Sequence, residues 1–175
     1  SHTWENQLID GLWTYSIDDI WTGLQDCYAQ LRADVKEKYG VEIEILASMG
    51  VSAMMHGYMP FNKDGKILVP FRTWRNTNTG KAAAALSELF DFNIPLRWSI
   101  SHLYQAILNN EPHVKDITFF TTLAGYIHWQ LTGEKVLGIG DASGMLPIDP
   151  ELKDFNRTMM DKFQKIIDPY GFPWK

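Results

Sequence analysis

Apolar and polar positions alternate in two distinct rhythms along the chain. Between Ser16 and Gly40, the side chains Trp21, Leu24, Tyr28, Leu31 and Val35 recur at spacings of three and four, the period of one helix face. Ser16 is placed to cap that helix, with Asp18 and Asp19 in its first turn and Gly40 to end it. Ile43 to Met55 is a long apolar, partly β-branched run that predicts a buried strand. Tyr58–Phe61 and Lys66–Val69 flank Asn62-Lys63-Asp64-Gly65, which predicts a hairpin. Helices are expected over Ala82–Phe90, from Pro95 to about Asn109, and over Phe119–Leu131, the last closed by Thr132-Gly133. Lys135–Ile139 predicts a short strand. Pro150–Ile167 predicts an amphipathic helix with Leu152, Phe155, Met159, Phe163 and Ile166 on one face.

Composition narrows the class. The 175 residues are 45% hydrophobic and 21% charged, enough for one domain with a real core. Net charge is −5 and no Lys/Arg run occurs, so neither a nucleic-acid nor an anionic-membrane partner is expected. The single Cys27 excludes a disulfide framework and suits a reducing cytoplasm. No apolar run reaches the roughly 18 residues of a membrane span, and no signal-peptide pattern is visible over Ser1–Gly11.

The candidate chemistry concentrates between Gly50 and Asn78. The predicted strand ends in Met55-His56-Gly57, and an aromatic, amide-rich stretch, Phe71-Arg72-Thr73-Trp74-Arg75-Asn76, follows the hairpin. Strand ends of open α/β sheets are where small ligands sit. An aromatic plate beside hydrogen-bonding groups suits a polyhydroxylated ligand, which presents both C–H faces and hydroxyls. Each residue also has a plainer reading. His56 could simply bond a backbone carbonyl, Trp74 could plug the core, and Thr77, Asn78 or Thr79 could cap the next helix. His2, His102, His113 and His128 lack metal-ligand spacing. No pair of acids stands at strand ends as glycoside hydrolysis needs, and no phosphate-binding glycine loop is found.

Met55-His56-Gly57, the Asp64-Gly65 turn, Pro70 and Trp74 together resemble the sugar-binding segment of the FGGY carbohydrate kinases, in particular the xylulokinase-like branch. Leu131-Thr132-Gly133-Glu134 and Asp141-Ala142-Ser143 resemble that family's L-T-G and D-A-S segments, and Leu103–Pro112 resembles the intervening helix that ends in E-P. The similarity runs from about Trp13 to Asp149.

The resemblance implies an α/β fold: a partial ribonuclease H-like (actin-like ATPase/sugar kinase) domain, a small mixed sheet with flanking helices. Residues 1–175 would form a single partial domain from the middle of a kinase N-terminal lobe. It implies a substrate site made of Met55, His56, Trp74, Asn76, Trp98 and Asp141, although by the residues alone Trp98 reads sooner as core packing and Asp141 as a cap of the helix or turn that follows. Asn76 and Asn78 stand where relatives carry Asp and Arg, and Leu123-Ala124 where a Lys is common. The D-x-G-T strand that approaches ATP and the segment bearing the catalytic aspartate have no counterpart here. ATP and Mg2+ are therefore expected as cofactors of a full-length enzyme, with none bound by this fragment alone and no catalytic residue in it.

The function implied is the sugar-binding lobe of an ATP-dependent carbohydrate kinase acting on a sugar hydroxyl, a ketopentose such as xylulose first. The alternative is a non-catalytic carbohydrate- or partner-binding module derived from such a kinase. Oligomeric state stays open, a homodimer of the full-length protein among the options.

Overall fold

The computed structural model describes residues 1–173. A hairpin of β1 (Gln7–Ile9) and β2 (Leu12–Thr14) leads into α1 (Ile17–Tyr39). Both ends of α1 form as the sequence predicts. The Ser16 hydroxyl accepts from the Asp19 N–H at 3.3 Å, and Gly40 closes the helix in the left-handed region, φ 68°, where a missing Cβ removes the steric penalty. The apolar stripe behaves differently. Ile20 and Gly23 are the buried residues of α1, and the Trp21 indole N–H reaches the Tyr126 hydroxyl at 3.1 Å. Leu24, Tyr28 and Leu31 are exposed; past its first turns this helix, about 35 Å long, meets the rest of the chain through polar contacts of Asp26, Gln30, Arg32 and Lys36.

Two apolar cores share the strand β3 (Met59–Phe61). Side chains alternate across a strand, so Met59 and Phe61 enter one core with Ile20, Phe71, Leu123, Tyr126 and Ile127. Tyr58, on the opposite face, enters the other. That second core joins α2 (Gly80–Phe90), α3 (Ser99–Leu108) and α6 (Arg157–Ile167) through Leu86, Phe90, Leu103, Ile107, Phe163 and Ile167. The Phe61 ring stacks on Tyr126 at 5.6 Å and meets Trp129 edge-on at 5.2 Å. Full burial of each such side chain is worth about 1.5–3 kcal/mol, which seats β3 firmly between the two cores.

Beyond α1, the structure departs from the sequence expectations in several places. The helix expected from Pro95 starts only at Ser99, behind Trp98. Ile43–Met55 is not a buried strand. It is irregular, with Ile45, Leu46 and Met49 exposed. A strand exists only through its ladder, and among the described residues no backbone hydrogen bond reaches 41–56. Phe119–Thr121, expected as helix, is strand β4, which pairs antiparallel with β3. The helix α4 (Leu123–Thr132) starts only after Thr122, whose hydroxyl accepts from the Gly125 N–H at 3.0 Å. Lys135–Ile139 forms no strand; Ile139 instead opens the short helix α5 (Ile139–Ala142). Finally, Pro150–Phe155 is not helical: Ile148–Asp149 (β5) and Asp154–Phe155 (β6) form a small hairpin. The helix α6 begins behind the Asn156 cap, which accepts from the Met159 N–H at 3.1 Å.

The predicted turn at Asn62–Gly65 does form, with Gly65 N–H donating to Asn62 O at 3.0 Å. Its second arm makes one bridge, Phe61 to Ile67, on the edge of β3 away from β4; Pro60 and Pro70 have no N–H to carry the ladder further.

Candidate functional site

Gly57 is the point where three segments meet. Its N–H donates to Arg97 O at 3.1 Å, and its carbonyl accepts from the Ser99 hydroxyl at 2.6 Å. A Cβ on Gly57 would lie 2.5 Å from Arg72 O, and its φ of +113° is itself a conformation L side chains rarely adopt. Only glycine lets the chain turn here. The next residue, Tyr58, exchanges both backbone hydrogen bonds with Arg72, at 2.9 and 3.2 Å. In that antiparallel register, residues 57 and 56 run out of the bridge at the same end as Thr73 and Trp74.

Met55 and His56 are half-buried and press against Gly144. A Cβ on Gly144 would stand 2.5 Å from Met55 O and 2.8 Å from His56 Nδ1. His56 Nδ1 lies 3.2 Å from Gly144 O. A carbonyl only accepts, so Nδ1 carries the proton and Nε2 is left as an acceptor. Burial lowers the pKa of His56; the Gly144 bond opposes this and the Arg97 charge reinforces it. The ring is therefore neutral at pH 7, suited to accept a hydroxyl proton. The plain reading, a bond to a backbone carbonyl, and the site reading thus use different nitrogens of one ring.

Asp141 sits in α5, and its carbonyl accepts from the Gly144 N–H at 3.0 Å. It is half-buried, and burial raises the pKa of its carboxyl group. Trp98 stands at the N-terminus of α3, half-buried against the second core and 6.3 Å from the Phe92 ring. Trp74 is 45% exposed and so is not a core plug. The Arg75 guanidinium lies 5.2 Å from the Trp74 ring and 5.8 Å from the Trp13 ring.

Asn76 faces inward. It is 3% exposed. Its Oδ1 accepts from the Trp13 N–H at 2.9 Å, and its Nδ2 donates to Trp13 O at 2.8 Å and Thr73 O at 2.9 Å. Both amide donors are thereby committed to the backbone. Thr79 takes the N-cap position of α2, but its hydroxyl donates to Leu96 O at 2.6 Å rather than to the helix.

The fold thus brings Met55 and His56 against Gly144 of the Asp141–Gly144 segment and ties Gly57 to Arg97 and Ser99, the neighbours of Trp98; Trp74 lies two residues beyond the Tyr58–Arg72 bridge, exposed, with no contact to them shown among the described residues. Asn76 lies beneath. Sequence reasoning missed Gly144 and Arg97. Gly144 directly follows Asp141-Ala142-Ser143, a signal within reach; Arg97 is exposed and marked by nothing in the sequence. Among the described residues no three His, Cys, Asp or Glu side chains converge to hold a metal ion, so no residue here is assigned to Mg2+. No helix is long and apolar enough to cross a membrane among the same residues.

The profile of the FGGY family of carbohydrate kinases, N-terminal domain, matches residues 4–166. The chain belongs to the FGGY family of carbohydrate kinases. No curated protein matches it at a significant level. Among solved structures it is similar to a "xyloylose kinase" from Brucella ovis, with a TM-score of 0.73 and 17% identity over 90% of this chain and 33% of the other. A gluconate kinase from Lactobacillus acidophilus gives 0.72 and 16%, covering 89% and 32%. A xylulose kinase from Bifidobacterium adolescentis gives 0.63 and 14%, covering 86% and 36%. The chain spans about a third of these kinases. At such identities the likeness establishes the fold: the helix-flanked, small-sheet N-terminal domain of sugar kinases, part of the actin-like ATPase architecture.

Proposed function

We propose that this FGGY chain is the sugar-binding lobe of an ATP-dependent kinase that phosphorylates a sugar hydroxyl, with a ketopentose such as xylulose as the first substrate to try. The observation that carries the reading is the convergence of Met55-His56 on the Asp141–Gly144 segment, so close that Gly144 admits no Cβ. His56 Nε2 would accept one hydroxyl, the half-exposed Trp74 would cover a C–H face, and Trp98 and Asp141 would line the remaining sides. These residues bind and orient. Phosphoryl transfer itself needs nucleotide and metal groups, and a base, that none of them supplies, so the 175 residues alone should release no ADP when given sugar and Mg-ATP. ATP and Mg2+ enter only as cofactors that family membership implies for the full-length enzyme.

One observation favours the alternative of a non-catalytic binding module. Asn76, in the place of the family's acid, is locked to the backbone of Trp13 and Thr73. A panel of sugars with the full-length protein and Mg-ATP, read as ADP release, separates the two readings. In that assay His56→Ala should lower sugar kcat/KM by about 1–3 kcal/mol, one lost bond to a desolvated hydroxyl, with nucleotide binding unaffected. Unchanged kcat/KM would remove His56 from the site.

A further inference from the structure

Behind the candidate site lies a buried polar loop that no part of the sugar-binding reading uses. The Arg72 guanidinium lies 5.4 Å from the centre of the Tyr58 ring. It donates through Nη1 to Glu111 Oε1 at 3.2 Å and through Nη2 to Glu111 Oε2. Glu111 Oε2 lies 3.6 Å from His113 Nδ1, and His113 Nε2 lies 3.0 Å from the Tyr58 hydroxyl. Burial raises the Tyr58 pKa and lowers that of His113. The Glu111 carboxylate that faces Nδ1 can only accept, which assigns the His113 proton to Nδ1 and makes Tyr58 the donor to Nε2. Starting from the backbone bridge between Tyr58 and Arg72, the loop runs through Arg72, Glu111 and His113 back to Tyr58. The side chains of Arg72, Glu111 and His113 are only 8%, 21% and 6% exposed.

The bridge it closes is otherwise weak. It is an isolated pair of backbone bonds, and beyond it Gly57 N–H turns to Arg97 O and Thr73 N–H to Trp13 O. A short pairing without a ladder fixes register poorly. Yet His56 and Trp74 leave from this bridge, each two residues away. Glu111 bonds the Arg72 arm directly and reaches the Tyr58 arm through His113. It is itself held by its N–H to Ala106 O at 2.9 Å and precedes the 3-10 turn Pro112–Asp116.

We infer that Glu111 is a positioning residue: its carboxylate holds Arg72 and faces His113, and so fixes the bridge from which His56 and Trp74 leave. The inference rests on the sugar-site reading for its functional meaning, though its geometric part stands without it. Glu111→Gln keeps the shape but points an amide N–H at guanidinium N–H groups, so Arg72 must swing away.

The test uses the full-length protein carrying this chain, labelled with 5-fluorotryptophan. The Trp74 fluorine resonance is identified by its loss in Trp74→Phe. In Glu111→Gln that resonance should shift or split. With D-xylulose and Mg-ATP, KM for the sugar should rise ~10-fold while kcat stays within ~2-fold, the signature of lost binding geometry. Glu111→Asp, which keeps the charge, should restore part of both effects. If Glu111→Gln loses its cooperative unfolding transition, Glu111→Asp carries the same comparison against wild type. An unmoved Trp74 resonance overturns the inference, as does a moved resonance with unchanged KM. If wild type does not turn over D-xylulose, that substrate assignment fails, while the fluorine readout still decides whether Glu111 positions Trp74.

Discussion

His102 offers a sharp test of the interior. It lies on α3, is 0% exposed, and stacks on the Tyr58 ring at 6.1 Å. Neither ring nitrogen has a hydrogen-bond partner among the described residues. Burial, reinforced by the Arg72 charge and only partly offset by Glu111, lowers its pKa from 6.5 to about 3. The unfolded chain therefore binds a proton at His102 that the folded chain refuses over this whole interval. Stability is fully present above 6.5 and is lost as pH falls toward about 3, with a slope approaching ~1.4 kcal/mol per pH unit. Between pH 7 and pH 5 the loss from this one residue works out at about 2 kcal/mol, or about 4–8 °C in Tm for a chain of this size.

The measurement is urea unfolding of wild type and His102→Leu at half-unit steps from pH 7.5 to 4.5. His56 and His113 also have lowered pKa values and slope the same way, so the difference between the two curves isolates His102. His102→Leu should match or exceed wild type at pH 7, because it removes two unpartnered polar atoms at similar volume. It should then exceed wild type by a further ~2 kcal/mol at pH 5. Parallel curves would show that His102 is not desolvated, and the reasoning would fail.

Three further outcomes follow from the site. Asn76→Ala removes three hydrogen bonds to the backbone of Trp13 and Thr73 and should cost about 2–4 kcal/mol in urea unfolding; a smaller loss with a raised sugar KM would place Asn76 in the pocket instead. Trp74→Phe, at a residue 45% exposed, should weaken sugar binding while moving Tm by no more than ~2 °C; a large Tm drop with intact affinity would make Trp74 part of the core. Gly144→Ala would force a Cβ to 2.5 Å from Met55 O, so it should displace Met55-His56 and raise sugar KM ~10-fold; an unchanged KM would separate that contact from the site.

Local chemistry was legible in the sequence wherever a single residue decides the outcome. Ser16 and Gly40 bound α1 as read, Asn62–Gly65 turns, and Ala82–Phe90 is helical, because caps, turns and helix formers act within a few residues of themselves. Met55-His56 and Asp141-Ala142-Ser143, whose segments the fold brings together at Gly144, were marked in the sequence by their motifs alone.

What the sequence left open depended on partners distant in the chain. Ile43–Met55 has strand composition, but a strand needs neighbours, and the described residues offer it none. Phe119–Thr121 reads as the start of a helix until β3 pairs with it. Asn76 reads as a ligand amide until Trp13, 63 residues away, takes its hydrogen bonds. Arg72 and Glu111 are separated by 39 residues, and nothing in either local sequence announces that they meet. Backbone pairing and buried charge are settled by which segments the cores bring together, and that is a property of the tertiary structure alone.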